Sequence, residues 1–368
     1  MSWLQPPENT IPALVEGITR FDGVEFDLRL SDDEQLVLHH DHNLSIDYDE
    51  TSEKPAFIEQ CHSSEVKNHG FDDFISLLEN KDFSEQLIGE SKVAFIELKL
   101  PHRSIQKRRQ NTAHLSKMLV QVAEILKENE IPRHNTVIYS FHSDMPSVVK
   151  NADYKGQWSE LRPTVPPVFG SFNQRVRTLP EFLATSFAGL VKHHQRNSSV
   201  LMPCAKEYIM GWTRHLPLGR SVGISGRALK RLRNITSGYP VHVWPCTASE
   251  ERLLLEAGLS VITDDAHPEQ PIAGAARWGR PASLPLSTKQ WDGLAQRKVP
   301  TEVSPWRELN DSEKKSQVES WRKQYQWRRS ADDILAVSNG KLPWEAVRVI
   351  GHRGCGKVAR PVKSNTPE

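Results

Sequence analysis

The chain has 368 residues, with 47 Lys and Arg against 46 Asp and Glu, so its formal net charge is only +1. This balance excludes a global field that would attract nucleic acid or a membrane surface. No run approaches the roughly 18 apolar residues of a membrane span, and Met1–Glu8 has no apolar leader core. Four cysteines without CxxC spacing indicate free thiols in a reducing compartment, so we expect a cytoplasmic protein.

Short apolar runs with strand character alternate with segments of helical period. The strand candidates are residues 23–27, 93–98, 136–141, 167–170, 200–202, 241–244, 259–263 and 347–351. The helix candidates are residues 10–20, 71–80, 111–128, 144–151, 179–193, 225–236 and 249–256. Such alternation requires right-handed crossovers and predicts a parallel sheet. The strand count predicts an α/β fold, the (β/α)8 TIM barrel.

The barrel closes only if residues 347–351 supply a strand between the last and first strands of the ring. We therefore predict three regions. Residues 1–265 carry the later strands and a catalytic hairpin, residues 266–346 are a helical, Trp-rich connector, and residues 347–368 carry the transplanted first strand. In this order the chain is circularly permuted. A domain-swapped homodimer, in which each C-terminal segment completes the partner's barrel, is an alternative.

The connector contains a helix candidate around residues 311–328 with two clusters, Trp321-Arg322-Lys323 and Trp327-Arg328-Arg329. Stacking on nucleic acid is one interpretation of these clusters. We favour amphipathic faces whose Trp side chains pack on the barrel while the cations stay in water, and we expect no nucleic-acid partner.

Three carboxylates lie near the ends of neighbouring predicted strands. Glu25 and Asp27 are two positions apart and so point to one face, and Glu97 ends the next barrel strand. The carboxyl ends of barrel strands form the active-site mouth. Three oxygen donors with no nearby Cys suit a hard cation, Mg²⁺ or Ca²⁺. The alternative, a set of salt-bridged strand ends, would leave costly buried charge.

Two histidines are candidates for proton transfer. A turn over residues 31–34 predicts a hairpin that folds His40 back to the mouth, with Asp41 able to orient its ring. His352 ends an apolar strand and precedes Arg353, whose planar guanidinium suits a phosphate. With a carboxylate-held cation, these residues form a coherent set for cleaving a phosphodiester.

These residues resemble the glycerophosphodiester phosphodiesterase family. The matching motifs are Gly351-His352-Arg353-Gly354, Pro7-Glu8-Asn9-Thr10, Glu25-Phe26-Asp27, His40-Asp41, Glu97-Leu98-Lys99, Ser140-Phe141, and Trp244 with Thr263-Asp264. The match spans most of residues 7–267 and 347–368, but the first motif stands last. The run Pro245-Cys246-Thr247 after Trp244 departs from the family's pattern.

The resemblance implies a TIM barrel, a divalent cation on Glu25, Asp27 and Glu97, and His352 with His40 as the acid–base pair. It also implies a substrate-binding set of Arg353, Lys99, Trp244 and Glu8. The implied reaction is attack on phosphorus by the neighbouring glycerol hydroxyl, then opening of the cyclic phosphate by water, which gives glycerol phosphate and an alcohol. Alternatives are a lysophospholipase D-like or sphingomyelinase D-like activity, and a catalytically silent barrel that serves as a scaffold.

Overall fold

The computed structural model describes residues 4–44, 57–89, 92–131, 135–142, 144–161, 176, 179–180, 182–211, 221–236, 239–266, 309–324, 330–332, 335 and 348–356. The strands are β1 Gly23–Leu30, β2 Leu36–Leu38, β3 Val93–Leu98, β4 Thr136–Tyr139, β5 Gln157–Trp158, β6 Met202–Ala205, β7 Val241–Cys246, β8 Ser260–Thr263 and β9 Val349–Gly351. The helices are α1 Ile11–Arg20, α2 Ser63–Asn68, α3 Phe74–Glu79, α4 Lys81–Gly89, α5 Asn111–Glu128, α6 Met145–Asn151, α7 Phe187–Arg196, α8 Glu207–Met210, α9 Gly226–Thr236, α10 Ala248–Glu256 and α11 Asp311–Gln324.

The strands form one curled sheet in the order β5-β4-β3-β1-β9-β8-β7-β6, with β2 added to β1. Within the described residues every pairing along this path is parallel, and only β2 is antiparallel to its neighbour. The two ends of the path also meet, because the Val200 amide donates to the Trp158 carbonyl at 3.0 Å. With helices between the strands, this is an α/β fold of the TIM type.

The C-terminal strand lies where the sequence places it, between β1 and β8. Ile350 is in register with Gly23 of β1 and with Ile262 of β8. The Asp22 amide donates to the Val349 carbonyl at 2.9 Å, and the Val349 amide donates to the Asp22 carboxylate at the same distance. The first and the last strand of the described chain are therefore adjacent in the sheet.

Helix α1 packs against both β1 and the C-terminal turn. Its first amides are capped by Thr10, whose side chain accepts from the Ala13 amide. Its buried face includes Ala13, Leu14 and Ile18. Gly354 has a φ of +90°, and the backbone of Ala13 lies where a side chain would stand at that position. The C-terminal turn and the N-terminal helix are thus in direct backbone contact.

The fold departs from the sequence prediction at β5 and α7. The predicted strand at 167–170 lies outside the described residues, and Gln157–Trp158 pairs with β4 instead. The predicted helix at 179–193 is interrupted, and α7 begins only at Phe187 because Ser186 caps it by accepting from the Gly189 amide.

Other differences are small. The predicted strand at 200–202 begins at Met202, and helices α2, α4 and α8 were not predicted. The helix predicted around residues 311–328 is confirmed over Asp311–Gln324, whereas the cluster at Trp327 lies outside the described residues. The four cysteines are free, as expected, and the structure buries all four.

Candidate functional site

Three buried carboxylates from two adjacent strands form the centre of the site. Glu25 and Asp27 lie on β1 and Glu97 on β3, where Asp27 and Glu97 are register partners. One oxygen from each lies within 4.8 Å of the others, and the three residues are 2%, 1% and 5% exposed. The structure therefore brings the three predicted cation ligands together.

Each carboxylate also has a donor in the surrounding protein. The Lys99 ammonium lies 2.9 Å from Asp27 and 2.6 Å from Glu97. Glu25 accepts from the Tyr139 hydroxyl at 3.0 Å. Tyr139 is a partner that the sequence analysis missed. The one sequence feature that could have indicated Tyr139 is its position at the end of a predicted strand, immediately before the Ser140-Phe141 motif.

Burial and neighbouring charges set the ionisation of this cluster. Burial raises the pKa of Glu25 and raises the pKa of Glu97 to about 7. Burial acts in the same direction on Asp27, but Lys99, His40 and Arg353 together outweigh it and hold the Asp27 pKa well below its usual range. For Lys99, burial opposes the charge, but Asp27 and Glu97 together raise its pKa. The cluster therefore combines carboxylates of unequal acidity around one ammonium.

Residues from both termini meet at this cluster. The Arg353 amide donates to Glu25 at 3.0 Å, and its guanidinium donates to Glu8 at 2.8 Å. The Asn9 side chain donates to the Asp27 carboxylate at 2.9 Å and accepts from the Asp27 amide at 3.0 Å. Asn9 and Arg353 have φ values of +56° and +50°, and the Asn9 amide donates to the Arg353 carbonyl at 3.2 Å. The N-terminal and C-terminal motifs thus form one continuous site.

His352 is held between two carboxylates. Its Nδ1 lies 2.5 Å from Asp264, which follows β8, and its Nε2 lies 3.7 Å from Glu25. Burial would lower the His352 pKa, but Glu25 and Asp264 outweigh burial and raise it. Asp264 was noted only as part of a motif, and its contact with His352 was not predicted. The signal was its position at the end of the strand next to β9.

His40 reaches the site on the hairpin. The His39 amide donates to the Asp27 carbonyl at 3.1 Å, which fixes the return of β2 beside the carboxylates. The His40 Nδ1 lies 2.8 Å from Asp41. Burial first and then the nearby Lys99 lower the His40 pKa. His39 itself is buried and packs edge-on against Phe71 at 4.3 Å, so the two histidines face different surroundings.

An aromatic pair flanks Lys99. The Phe141 ring centre lies 5.9 Å from the Lys99 ammonium, and Trp244 on β7 packs edge-on against Phe141 at 6.0 Å. The structure therefore places Trp244 close to the cluster, partly exposed.

The acidic groups around the cluster outnumber the basic groups, so a divalent cation can neutralise the excess negative charge. Among the described residues, four acids contact one another or the cations Lys99 and Arg353, namely Glu8, Glu25, Asp27 and Glu97. A fifth acid, Asp264, contacts His352. The permanent cations are Lys99 and Arg353, and His352 adds a third charge when protonated. The remaining negative charge and the all-carboxylate donor set fit a hard cation such as Mg²⁺ or Ca²⁺.

The fold and the site define an α/β protein of the TIM type with a buried carboxylate cluster at the carboxyl ends of its strands. The chain belongs to the glycerophosphoryl diester phosphodiesterase family, whose sequence profile matches residues 4–265. Comparison with curated proteins finds no match. Within the described part of the chain, none of the helices combines the length and apolar character needed to cross a membrane.

Several solved structures are similar to this chain at low identity. A glycerophosphodiester phosphodiesterase from Thermotoga maritima is 18% identical, with a TM-score of 0.43, over 69% of this chain and 87% of that one. A phosphodiesterase from Oleispira antarctica, in complex with the product sn-glycerol-3-phosphate, is 16% identical, with a TM-score of 0.43, over 70% and 87%. A glycerophosphodiester phosphodiesterase from Agrobacterium tumefaciens is 15% identical, with a TM-score of 0.41, over 70% and 91%.

Proposed function

We propose that this chain hydrolyses glycerophosphodiesters to glycerol phosphate and an alcohol, with a divalent cation and with His40 and His352 as the acid–base pair. The observation that carries the proposal is the contact between the termini. Arg353 donates to both Glu25 and Glu8, so the His-Arg-Gly segment and the Pro-Glu-Asn-Thr segment line one carboxylate cluster.

Glu25, Asp27 and Glu97 would hold the cation, either Mg²⁺ or Ca²⁺. When bound, the cation would neutralise the phosphate and the negative charge that develops on it. Arg353 and Lys99 are the other cations available to a phosphate oxygen, and Trp244 offers an apolar face for the glycerol or alcohol group. Glu8 orients the Arg353 guanidinium through their 2.8 Å ion pair.

The two imidazoles divide the proton transfers. One accepts the proton of the glycerol hydroxyl that attacks phosphorus, and the other protonates the alcohol oxygen as its bond to phosphorus breaks. Asp264 and Glu25 face His352 and favour its charged form, which suits the donor. Burial, and after it the nearby Lys99, favours the neutral form of His40, which suits the acceptor. Water then opens the cyclic phosphate to give glycerol phosphate.

The direct test is hydrolysis of glycerophosphocholine and glycerophosphoethanolamine by the purified chain with added Mg²⁺ or Ca²⁺. We expect metal-dependent release of glycerol phosphate, and we expect His352→Ala and His40→Ala to lower turnover about 10²–10⁴-fold. His69→Ala is the matched control, because this histidine is exposed at the end of α2 and bonds only its own helix. Wild-type turnover in either site variant would remove that histidine from the mechanism.

The same assay separates the alternatives. Release of choline from lysophosphatidylcholine or ceramide phosphorylcholine, without turnover of the glycerol diesters, would favour a lysophospholipase D-like or sphingomyelinase D-like enzyme. A folded protein that turns over none of these substrates would favour a silent scaffold.

We also propose that the chain is a circular permutation of the family's barrel, with region boundaries at 265/266 and 346/347. Two observations support it. The strand that carries Gly351-His352-Arg353-Gly354 lies between β8 and β1, and this segment falls outside the 4–265 match to the family profile. In this structure β9 completes the sheet of its own chain. Light scattering tests the domain-swapped dimer, which would have twice the mass of the 41.8 kDa chain.

A further inference from the structure

A buried arginine stands on the same face of β1 as the two carboxylates. Glu25, Asp27 and Arg29 are alternate residues of one strand, so their side chains project to one side. Arg29 is only 2% exposed. A buried guanidinium is costly unless its N–H groups are bonded, so its contacts show what the chain gains from it.

Arg29 bonds three separate segments. Its Nε and Nη2 donate to the His40 carbonyl at 3.2 and 2.9 Å. Its Nη1 donates to the Leu100 carbonyl at 3.1 Å and to the Glu59 carboxylate at 2.7 Å. Glu59 is 9% exposed on its side chain, so the counter-charge is also enclosed. This planar set of donors holds two backbone carbonyls and one carboxylate at once.

The two carbonyls belong to the segments that carry chemistry. His40 follows β2, and Leu100 comes directly after Lys99, beyond the end of β3. A buried carbonyl beyond the end of a strand needs a donor from elsewhere. The Lys99 amide donates to the Leu28 carbonyl at 3.0 Å, so the segment after β3 is tied to β1 on both sides of Lys99.

We propose that Arg29 is a positioning residue, which fixes the backbone at His40 and beside Lys99 so that the imidazole and the ammonium meet the carboxylate cluster. The proposal rests on the proposed function, because it takes His40 as one member of the acid–base pair. Glu59 compensates the charge of Arg29 and is the third group that accepts a hydrogen bond from its guanidinium. Displacement of a catalytic group by about 1 Å costs about 100-fold in rate, which sets the expected effect.

The test compares Arg29→Met with Arg348→Met. Arg348 is an equally buried arginine, 1% exposed, but it precedes β9 and so lies at the opposite end of the strands from His352. We expect Arg29→Met to lower kcat about 100-fold with KM within about threefold of wild type. Arg29→Lys, which keeps the charge but cannot make the fork, should recover part of the loss. We expect Arg348→Met to leave kcat within about threefold of wild type at a temperature where it is folded.

Hydrogen–deuterium exchange supplies a readout that does not depend on turnover. We expect amides of residues 36–44 and 57–61 to exchange at least about tenfold faster in Arg29→Met, and not in Arg348→Met. Equal kcat in the two variants, or unchanged hairpin exchange in Arg29→Met, would overturn the positioning role. If Arg29→Met does not fold, Arg29→Lys is measured by the same two readouts and decides in the same way.

The failure of the proposed function would look different. If the wild-type chain had no phosphodiesterase activity, the proposed reaction would be rejected. The exchange experiment would still decide whether Arg29 fixes the hairpin. Conversely, an active wild type with an inactive His40→Ala and an unaffected Arg29→Met would keep the proposed function and reject the positioning role.

Discussion

Gly354→Ala tests whether the C-terminal turn packs against the N-terminal helix. Gly354 has a φ of +90°, and a Cβ built on it would stand 2.5 Å from the carbonyl carbon and oxygen of Ala13. Both of those atoms are backbone, which cannot move aside as a flexible side chain can. Gly70→Ala is the matched control, since Gly70 has a φ of +83° but nothing within 4 Å of its Cβ position.

The two substitutions share one cost and differ in another. A left-handed conformation costs alanine about 1–2 kcal/mol relative to glycine, and this applies to both positions. Forcing an extra methyl into packed atoms adds about 1–3 kcal/mol, and this applies only to Gly354. We therefore expect a free energy of unfolding lowered by about 3 kcal/mol for Gly354→Ala and by about 1 kcal/mol for Gly70→Ala.

Urea denaturation followed by circular dichroism measures this difference directly. We expect the midpoint of Gly354→Ala to fall clearly below that of Gly70→Ala, with the same dependence on urea concentration. Equal midpoints for the two variants would mean that the turn after β9 does not lie on α1. The contact between the N-terminal and C-terminal segments would then be contradicted, and so would the active site that these two segments share.

Three further predictions follow from particular contacts. A chain ending before Val347 should lose its cooperative melt, because it lacks a central strand, and a sharp transition in calorimetry would contradict this. Hydrogen bonds outweigh burial at Asp33 and lower its pKa in the folded protein to about 2. Ionised Asp33 should therefore stabilise the fold above about pH 4, near its pKa in the unfolded chain, and this contribution should be lost as the pH falls toward about 2. Its side chain is 25% exposed, so urea titrations should show Asp33→Asn costing about 1 kcal/mol at pH 7 and less at pH 3. Tyr139→Phe should weaken metal binding about 10-fold or more by calorimetry, because it removes a donor to Glu25, whereas Tyr239→Phe, another buried hydroxyl, should not.

The order of strands and most of the site positions could be predicted from the sequence. Apolar runs of four to eight residues mark a buried parallel strand, and polar residues at their carboxyl ends mark the mouth. Glu25, Asp27 and Glu97 fit this pattern, and the structure places them together. The strand Gln157–Trp158 could not be found in this way, because two residues have no periodicity to detect.

The supporting contacts could not be predicted because they depend on sheet register. Asp264 meets His352 only because β8 and β9 pair so that Thr263 lies beside Gly351. Tyr139 reaches Glu25 across β3, which separates their strands in the sheet. The role of Arg29 could not be predicted, since nothing in its neighbours along the chain indicates that three segments converge on it.

Holding a site together from opposite ends of the chain has a modest entropic cost. The ion pair between Arg353 and Glu8 spans 345 positions, and each doubling of loop length adds only about 0.6 kcal/mol to closure. Relative to a loop of about 20 residues, this is about 2–3 kcal/mol. Val349 and Ile350 are fully buried when β9 joins the sheet, and an aliphatic side chain of this size contributes about 1.5–3 kcal/mol on burial. The packing of β9 can therefore offset the cost of its distant position, so the same residues that complete the sheet also bring His352 and Arg353 to the carboxylates.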